Sequence, residues 1–198
     1  MTFDDIFDGT AVMAILRGLP PAETVSVAGR LWDAGVTVLE IPIGSPDQIP
    51  ALRAAADAAR ERGLRVGAGT VITPEQVRAA AEAGAQYTVA PGLDLGVLEA
   101  SSAAGMPHLP GVGTATEVQR AWLAGCRWLK AFPAAALGPK WISALLGPFP
   151  DARFVATGGL TVGDASAFLS AGARVVALGA ALADPAQREQ ISRLLQER

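Results

Sequence analysis

Lys130 stands in the middle of Trp128-Leu129-Lys130-Ala131-Phe132-Pro133, an apolar run that follows Gly125 and is closed by a proline. Such a run reads as a parallel strand covered on both faces, where an unpaired ammonium group is strongly disfavoured. Burial favours the neutral amine, and a neutral amine is a nucleophile. The run alone also permits a blander reading, a lysine on an exposed edge or one whose stem lies on apolar surface while its head reaches water. Other apolar runs carry a polar residue near their C-terminal ends: Arg17 after Ala11 to Leu16, Glu40 late in Thr37 to Ile43, Thr70 after Arg65 to Gly69, and Thr157-Gly158-Gly159 at the end of Arg153 to Thr157. If these ends converge, an ammonium, a carboxylate and a guanidinium meet in one place, a costly gathering of charge that points to function rather than to a purely structural role. The structural alternative is that Glu40 serves only as a buried ion-pair partner of Arg17 or Lys130.

The elements that must position these residues repeat along the chain. Gly9, Gly35, Gly63, Gly84, Gly105, Gly125, Gly147 and Gly172 each end a helical or polar segment and precede a short apolar run. The remaining runs are Tyr87 to Ala90, Met106 to Leu109 and Arg174 to Leu178. Between runs lie alanine-rich amphipathic stretches such as Pro74 to Ala83 and Thr116 to Leu123, opened by helix-start signals at Thr73-Pro74 and at Thr114 to Glu117. Glycine after each helix fits a left-handed cap. The repetition predicts a (β/α)₈ barrel as a single domain over residues 1–198, with a short N-terminal helix, Phe3 to Phe7, plugging the N-terminal mouth. An open doubly wound sheet is the alternative, but Arg17-Gly18-Leu19-Pro20-Pro21 after the first run is no dinucleotide fingerprint. In a barrel the strand C-termini carry the chemistry, and Gly158-Gly159 and Gly179-Ala180, before helices expected near Val162 and over Leu182 to Pro185, are candidates for holding phosphate through backbone N–H groups.

Composition narrows the class. Hydrophobic residues make up 51% and charged residues 18% of the 198-residue chain, which suits a compact α/β enzyme rather than a disordered chain. A net charge of −3 without basic runs argues against nucleic acid or an anionic membrane as partner. Asp4, Asp5 and Asp8 make the first residues unlike a signal peptide, and the lone Cys126 fits a reducing cytoplasm. Cys126 has no base beside it and reads as a packing residue. His108, the only histidine, reads either as a proton carrier pointing into the barrel or as a hydrogen-bonded core residue. One histidine and one cysteine make no zinc cluster, so neither metal nor cofactor is expected.

Ala14-Ile15-Leu16-Arg17, Leu39-Glu40-Ile41-Pro42, Gly67-Ala68-Gly69-Thr70-Val71, Ala90-Pro91-Gly92, Leu109-Pro110-Gly111, Leu129-Lys130-Ala131-Phe132-Pro133 and Thr157-Gly158-Gly159 occur in this order along nearly the whole chain. Together they resemble the 2-keto-3-deoxy-6-phosphoaldonate aldolases. The resemblance implies a metal-independent class I aldolase on a (β/α)₈ barrel, usually a homotrimer, that releases pyruvate and glyceraldehyde 3-phosphate from a phosphorylated keto acid. It further implies that Lys130 forms the imine, Glu40 shuttles protons, Arg17 offsets substrate charge, Thr70 bonds the pyruvyl end and Phe132 walls the imine, with Gly158, Gly159, Gly179 and Ala180 on the phosphate. Glu40-Ile41-Pro42-Ile43-Gly44-Ser45-Pro46, with Gly44 where the phosphogluconate branch usually has arginine, and Ala136 to Pro139 resemble the phosphogalactonate branch, whereas Thr157 resembles the phosphogluconate branch; the longer matches favour 2-keto-3-deoxy-6-phosphogalactonate as substrate. An isomerase or synthase on a phosphate-binding barrel, or a non-catalytic phosphosugar sensor, would share the glycine sites without needing the lysine beside a carboxylate.

Overall fold

The computed structural model describes residues 1–179. Its strands are β1 (Val12–Ile15), β2 (Val38–Pro42), β3 (Arg65–Gly69), β4 (Thr88–Val89), β5 (His108–Leu109), β6 (Gly111–Val112), β7 (Trp128–Ala131), β8 (Arg153–Thr157) and β9 (Val175–Leu178). They form one sheet in the order β5-β4-β3-β2-β1-β9-β8-β7-β6, with every pair parallel. The two ends of that order are separated in the chain by Pro110 alone, so the sheet curls into a nearly closed parallel barrel. The fifth apolar run was expected to end at Leu109, yet pairing resumes beyond it. Proline has no N–H to give a ladder and interrupts the strand at that residue. Its carbonyl still accepts from Lys130 N (2.9 Å), while Gly111 N turns to Gly92 O (3.1 Å). A Cβ on Gly111 would fall 2.1 Å from Pro91 O, which explains glycine in Leu109-Pro110-Gly111.

Alternation along the strands separates two apolar layers. Met13, Ile15, Val38, Tyr87, Val89, Leu109, Val155, Val175 and Ala177 fill the lumen. Their neighbours, among them Ala14, Leu39, Ile41, Val66, Leu129, Phe154 and Val176, face the helices. The expected plug is present as α1 (Phe3–Ile6), whose Phe3, Ile6 and the following Phe7 join the lumen cluster. Thr2 and Asp5 cap it reciprocally, Phe3 meets the Tyr87 ring edge-on at 5.9 Å, and Asp4 accepts from Trp128 Nε1 (3.0 Å) and pairs with Arg153.

The outer layer holds α2 (Pro21–Asp33), α3 (Ile49–Glu61), α4 (Pro74–Glu82), α5 (Leu95–Ala103), α6 (Ala115–Leu123), α7 (Ala134–Leu137), α8 (Pro139–Leu146) and α9 (Ala165–Ser170). The helix starts read from sequence coincide with capping boxes, Thr73 with Gln76 and Thr114 with Glu117. The glycines expected to cap helices have positive φ except Gly147, which is right-handed at φ −59. There Phe149 N bonds back to Leu145 O, so the chain continues its turn past the glycine. The helix expected near Val162 begins as a single 3₁₀ turn, Val162–Asp164, before the short α9. Among the described residues no helix is long and apolar enough to cross a membrane.

Candidate active site

Two-residue steps carry polar side chains into the lumen above its apolar floor: Val38 to Glu40 on β2, Trp128 to Lys130 on β7, Val155 to Thr157 on β8. Glu40 is 1% exposed and Lys130 5%. Their strands are not neighbours, since β1, β9 and β8 lie between them, yet Lys130 Nζ and Glu40 Oε2 approach to 3.8 Å across the bore. That separation is an ion-pair contact rather than a hydrogen bond, and among the described residues neither carboxylate oxygen has a hydrogen-bond partner. Of the two structural partners open to Glu40, the structure brings it Lys130 and not Arg17. The Phe132 ring centroid lies 5.4 Å from Nζ, giving the amine an aromatic wall.

Room for this pair comes from β3, whose inward positions are Gly67 and Gly69. A Cβ on Gly69 would fall 1.9 Å from Glu40 Oε1, and one on Gly67 would fall 2.0 Å from the Tyr87 ring. The Tyr87 hydroxyl donates to Leu39 O (2.5 Å), and burial pushes its pKa well above the ordinary value, with the Glu40 charge adding to the effect. The sequence reading names Gly67 and Gly69 only within a motif and Tyr87 only at the start of an apolar run, with no part in the site for any of them. The available signal was Gly-x-Gly inside a strand, which marks an inner face kept clear for something else.

At the rim, Arg17 donates through Nη2 to Thr70 Oγ1 (3.2 Å). Thr70 has φ +58, a conformation that disfavours β-branched residues by about 1–3 kcal/mol. Thr157 is buried, and its hydroxyl makes one long contact to Val155 O (3.4 Å). Gly158 (φ +103) and Gly159 (φ +74) make a turn that side chains would oppose, and a Cβ on Gly158 would lie 2.9 Å from the Phe132 ring. Among the described residues no acceptor is paired with the N–H of either glycine. Gly179 packs on Ile15, and Ala180 and Leu182 to Pro185 lie outside the described residues.

His108 is a core residue facing α5, not a proton carrier in the lumen. Ser101 Oγ donates to Met106 O (3.0 Å), Thr88 Oγ1 lies 2.6 Å from Ser101 Oγ, and His108 Nδ1 lies 2.8 Å from Thr88 Oγ1. The carbonyl can only accept, so the chain of donors runs from Nδ1–H and leaves Nε2 bare. Burial lowers the His108 pKa to about 4, against a weaker opposing effect of Asp94. The unfolded chain therefore takes up this proton first. His108 contributes fully to stability above about pH 6.5, and about 3 kcal/mol is lost as pH falls to 4. Urea unfolding of His108→Gln is expected to lack that slope between pH 6.5 and 4; an unchanged slope would show that other groups carry it. Burial raises the Cys126 thiol pKa, consistent with packing. Two cavities of about 480 and 980 Å³ open at the α1 end and involve neither Lys130 nor Glu40.

A family model described as KDPG and KHG aldolase matches residues 3–196. A 2-dehydro-3-deoxy-6-phosphogalactonate aldolase of Escherichia coli is 40% identical over 172 residues, spanning 86% of this chain and 83% of its own. A solved structure described as native KDPGal superposes with a TM-score of 0.83 at 34% identity, covering 94% of this chain and 96% of that one. The KDPG aldolase of Legionella pneumophila, with pyruvate captured at low pH as a covalent carbinolamine, gives 0.82 at 28% identity, covering 97% and 93%.

Proposed function

Since the chain belongs to the family of KDPG and KHG aldolases, we propose that it cleaves 2-dehydro-3-deoxy-6-phosphogalactonate to pyruvate and D-glyceraldehyde 3-phosphate through an imine on Lys130. The observation that carries this reading is the buried amine 3.8 Å from a carboxylate that has no hydrogen-bond partner among the described residues. Lys130 passes a proton to Glu40, its nitrogen adds to the C2 carbonyl, and Glu40 returns the proton to the carbinolamine hydroxyl, which leaves as water to give a protonated imine. Glu40 removes the C4 hydroxyl proton. The C3–C4 electrons then flow into the imine, giving an enamine and releasing the aldehyde. Protonation of C3 and hydrolysis return pyruvate and the free amine. One carboxyl group can serve these proton transfers because C2, once bonded to Nζ, brings C3 and the carbinolamine hydroxyl within its reach.

Arg17 donates to Thr70, the residue after β3, and β3 lies on the β2 side of β1 rather than the β9 side, which supports giving this pair the carboxylate end of the keto acid. Gly158, Gly159, Gly179 and Ala180 then take the phosphate. The same reading treats β5 and β6 as one strand broken at Pro110, hence a (β/α)₈ barrel as a single domain over residues 1–198. A homotrimer in the cytoplasm follows from the family resemblance and the lone cysteine.

The epimer is tested by kcat/KM on the galactonate and gluconate substrates. The 40% identity to the phosphogalactonate enzyme supports the first, and Thr157 is expected to leave appreciable activity on the second through a hydrogen bond near C4. Thr157→Val should sharpen the preference for the galactonate epimer by about tenfold, roughly 1.4 kcal/mol. A wild-type preference for the gluconate epimer above about tenfold would reverse the assignment.

A further inference from the structure

Gly158 and Gly159 both have positive φ, +103 and +74, and the peptide between them is trans, since the only cis bond among the described residues is Phe132-Pro133. A peptide flanked by two glycines can turn over at little cost, because no Cβ opposes either orientation. Turned one way it offers an N–H to an approaching anion; turned the other way it offers a carbonyl oxygen, which repels one. The glycines therefore permit phosphate recognition without deciding it. Another group must hold the plane.

That hold comes from the corner after β7. Gly158 O accepts from Ala135 N at 3.0 Å. Ala135 lies in the first turn of α7, where a backbone N–H has no acceptor within the helix, and Pro133 at the N-cap brings no side-chain cap. In a planar trans peptide the C=O and the N–H point in opposite directions. With Gly158 O drawn to Ala135, the Gly159 N–H is turned away from α7. Gly159 is exposed, and that N–H has no acceptor among the described residues. The glycine turn lies tight against the corner: a Cβ on Gly159 would fall 2.9 Å from Ala135 Cβ, and one on Gly158 would fall 3.3 Å from Pro133 Cα. Phe132 thus lies beside the Lys130 amine and also seats the turn.

We propose that Ala135 is a positioning residue for phosphate recognition: its N–H locks the Gly158-Gly159 peptide in the orientation that leaves the Gly159 N–H open to a phosphate oxygen. The proposal rests on the aldolase reading above and on the two glycines taking the phosphate end of the substrate. Ala135 itself touches no substrate. Losing its N–H leaves Lys130, Glu40 and the carboxylate end unchanged, so the damage falls on the phosphate alone.

Replacing Ala135 with L-lactic acid by nonsense suppression turns the amide between Ala134 and Ala135 into an ester, which deletes the N–H and keeps the methyl. On the phosphorylated keto acid this variant is expected to lose about tenfold in kcat/KM, through KM, the scale of one charge-assisted hydrogen bond. On the same keto acid without its phosphate, kcat/KM should stay within about twofold of wild type, and so should the rate at which borohydride traps pyruvate. Equal losses on both substrates would make the bond a general prop of the β8 end, and no loss on either would make it dispensable; each overturns the proposal. A second measurement needs no variant. In wild-type protein carrying isotope-labelled glycine, inorganic phosphate should move the Gly159 amide resonance, and a resonance unmoved at phosphate concentrations that inhibit turnover would sink the proposal. Absence of any wild-type turnover overturns the aldolase reading and this one with it, whereas an active wild type with equal losses in the ester variant overturns only the role of Ala135.

Discussion

Lys130→Arg is expected to abolish turnover, by about 10⁶-fold in kcat, the scale on which a covalent catalyst loses rate when its nucleophile is deleted. Arginine keeps a positive charge opposite Glu40 but is never a free amine under working conditions, so charge and nucleophilicity are separated in one substitution. In the wild type, borohydride with pyruvate should add one reduced pyruvyl group at Lys130, read by intact mass and peptide mapping. Lys140 provides the control, being exposed in the first turn of α8. An adduct on Lys140, or none at all, would end the imine mechanism. Lys130→Met is a poorer test. It strands a Glu40 that is 1% exposed without its counter-charge, a change of the kind that destabilises by about 3–5 kcal/mol.

Glu40→Gln should lower kcat by about 10² to 10⁴-fold, the usual worth of general acid–base catalysis. The amide has nearly the same shape and fits the space left by Gly69, so the barrel wall is preserved while the transferable proton is lost. Pyruvate should still be trapped on Lys130, more slowly, because amine addition does not need the carboxylate as its only proton source. A mutant within a few-fold of wild type would reduce Glu40 to a structural partner of the lysine.

Much of this arrangement could be read along the chain because its signals are local. The inward steps to Glu40, Lys130 and Thr157 follow strand alternation, and the capping boxes at Thr73 and Thr114 lie within four residues. What was not legible depends on partners distant in sequence. Gly69 is a glycine because of Glu40 on the adjacent strand, and Gly67 because of the Tyr87 ring. His108 alternates with Leu109, and only the pairing of Thr88 with His108 shows which of the two faces the helices. The resumption of pairing after Pro110 likewise needed knowledge of β7, the partner that receives it.

Glu40 and Lys130 are carried by opposite walls of the barrel, and this turns the width of the bore into a chemical variable. Two side chains on one loop would move together when that loop flexed; on opposite walls their separation changes with the shape of the cross-section. The seam at Pro110 borders β7 through β6, so the wall bearing the lysine is the one next to the interrupted ladder. The architecture thus behaves as a caliper whose jaws are β2 and β7. Substitutions that stiffen or loosen the seam would change the gap a proton has to cross without altering any group that gives or receives it.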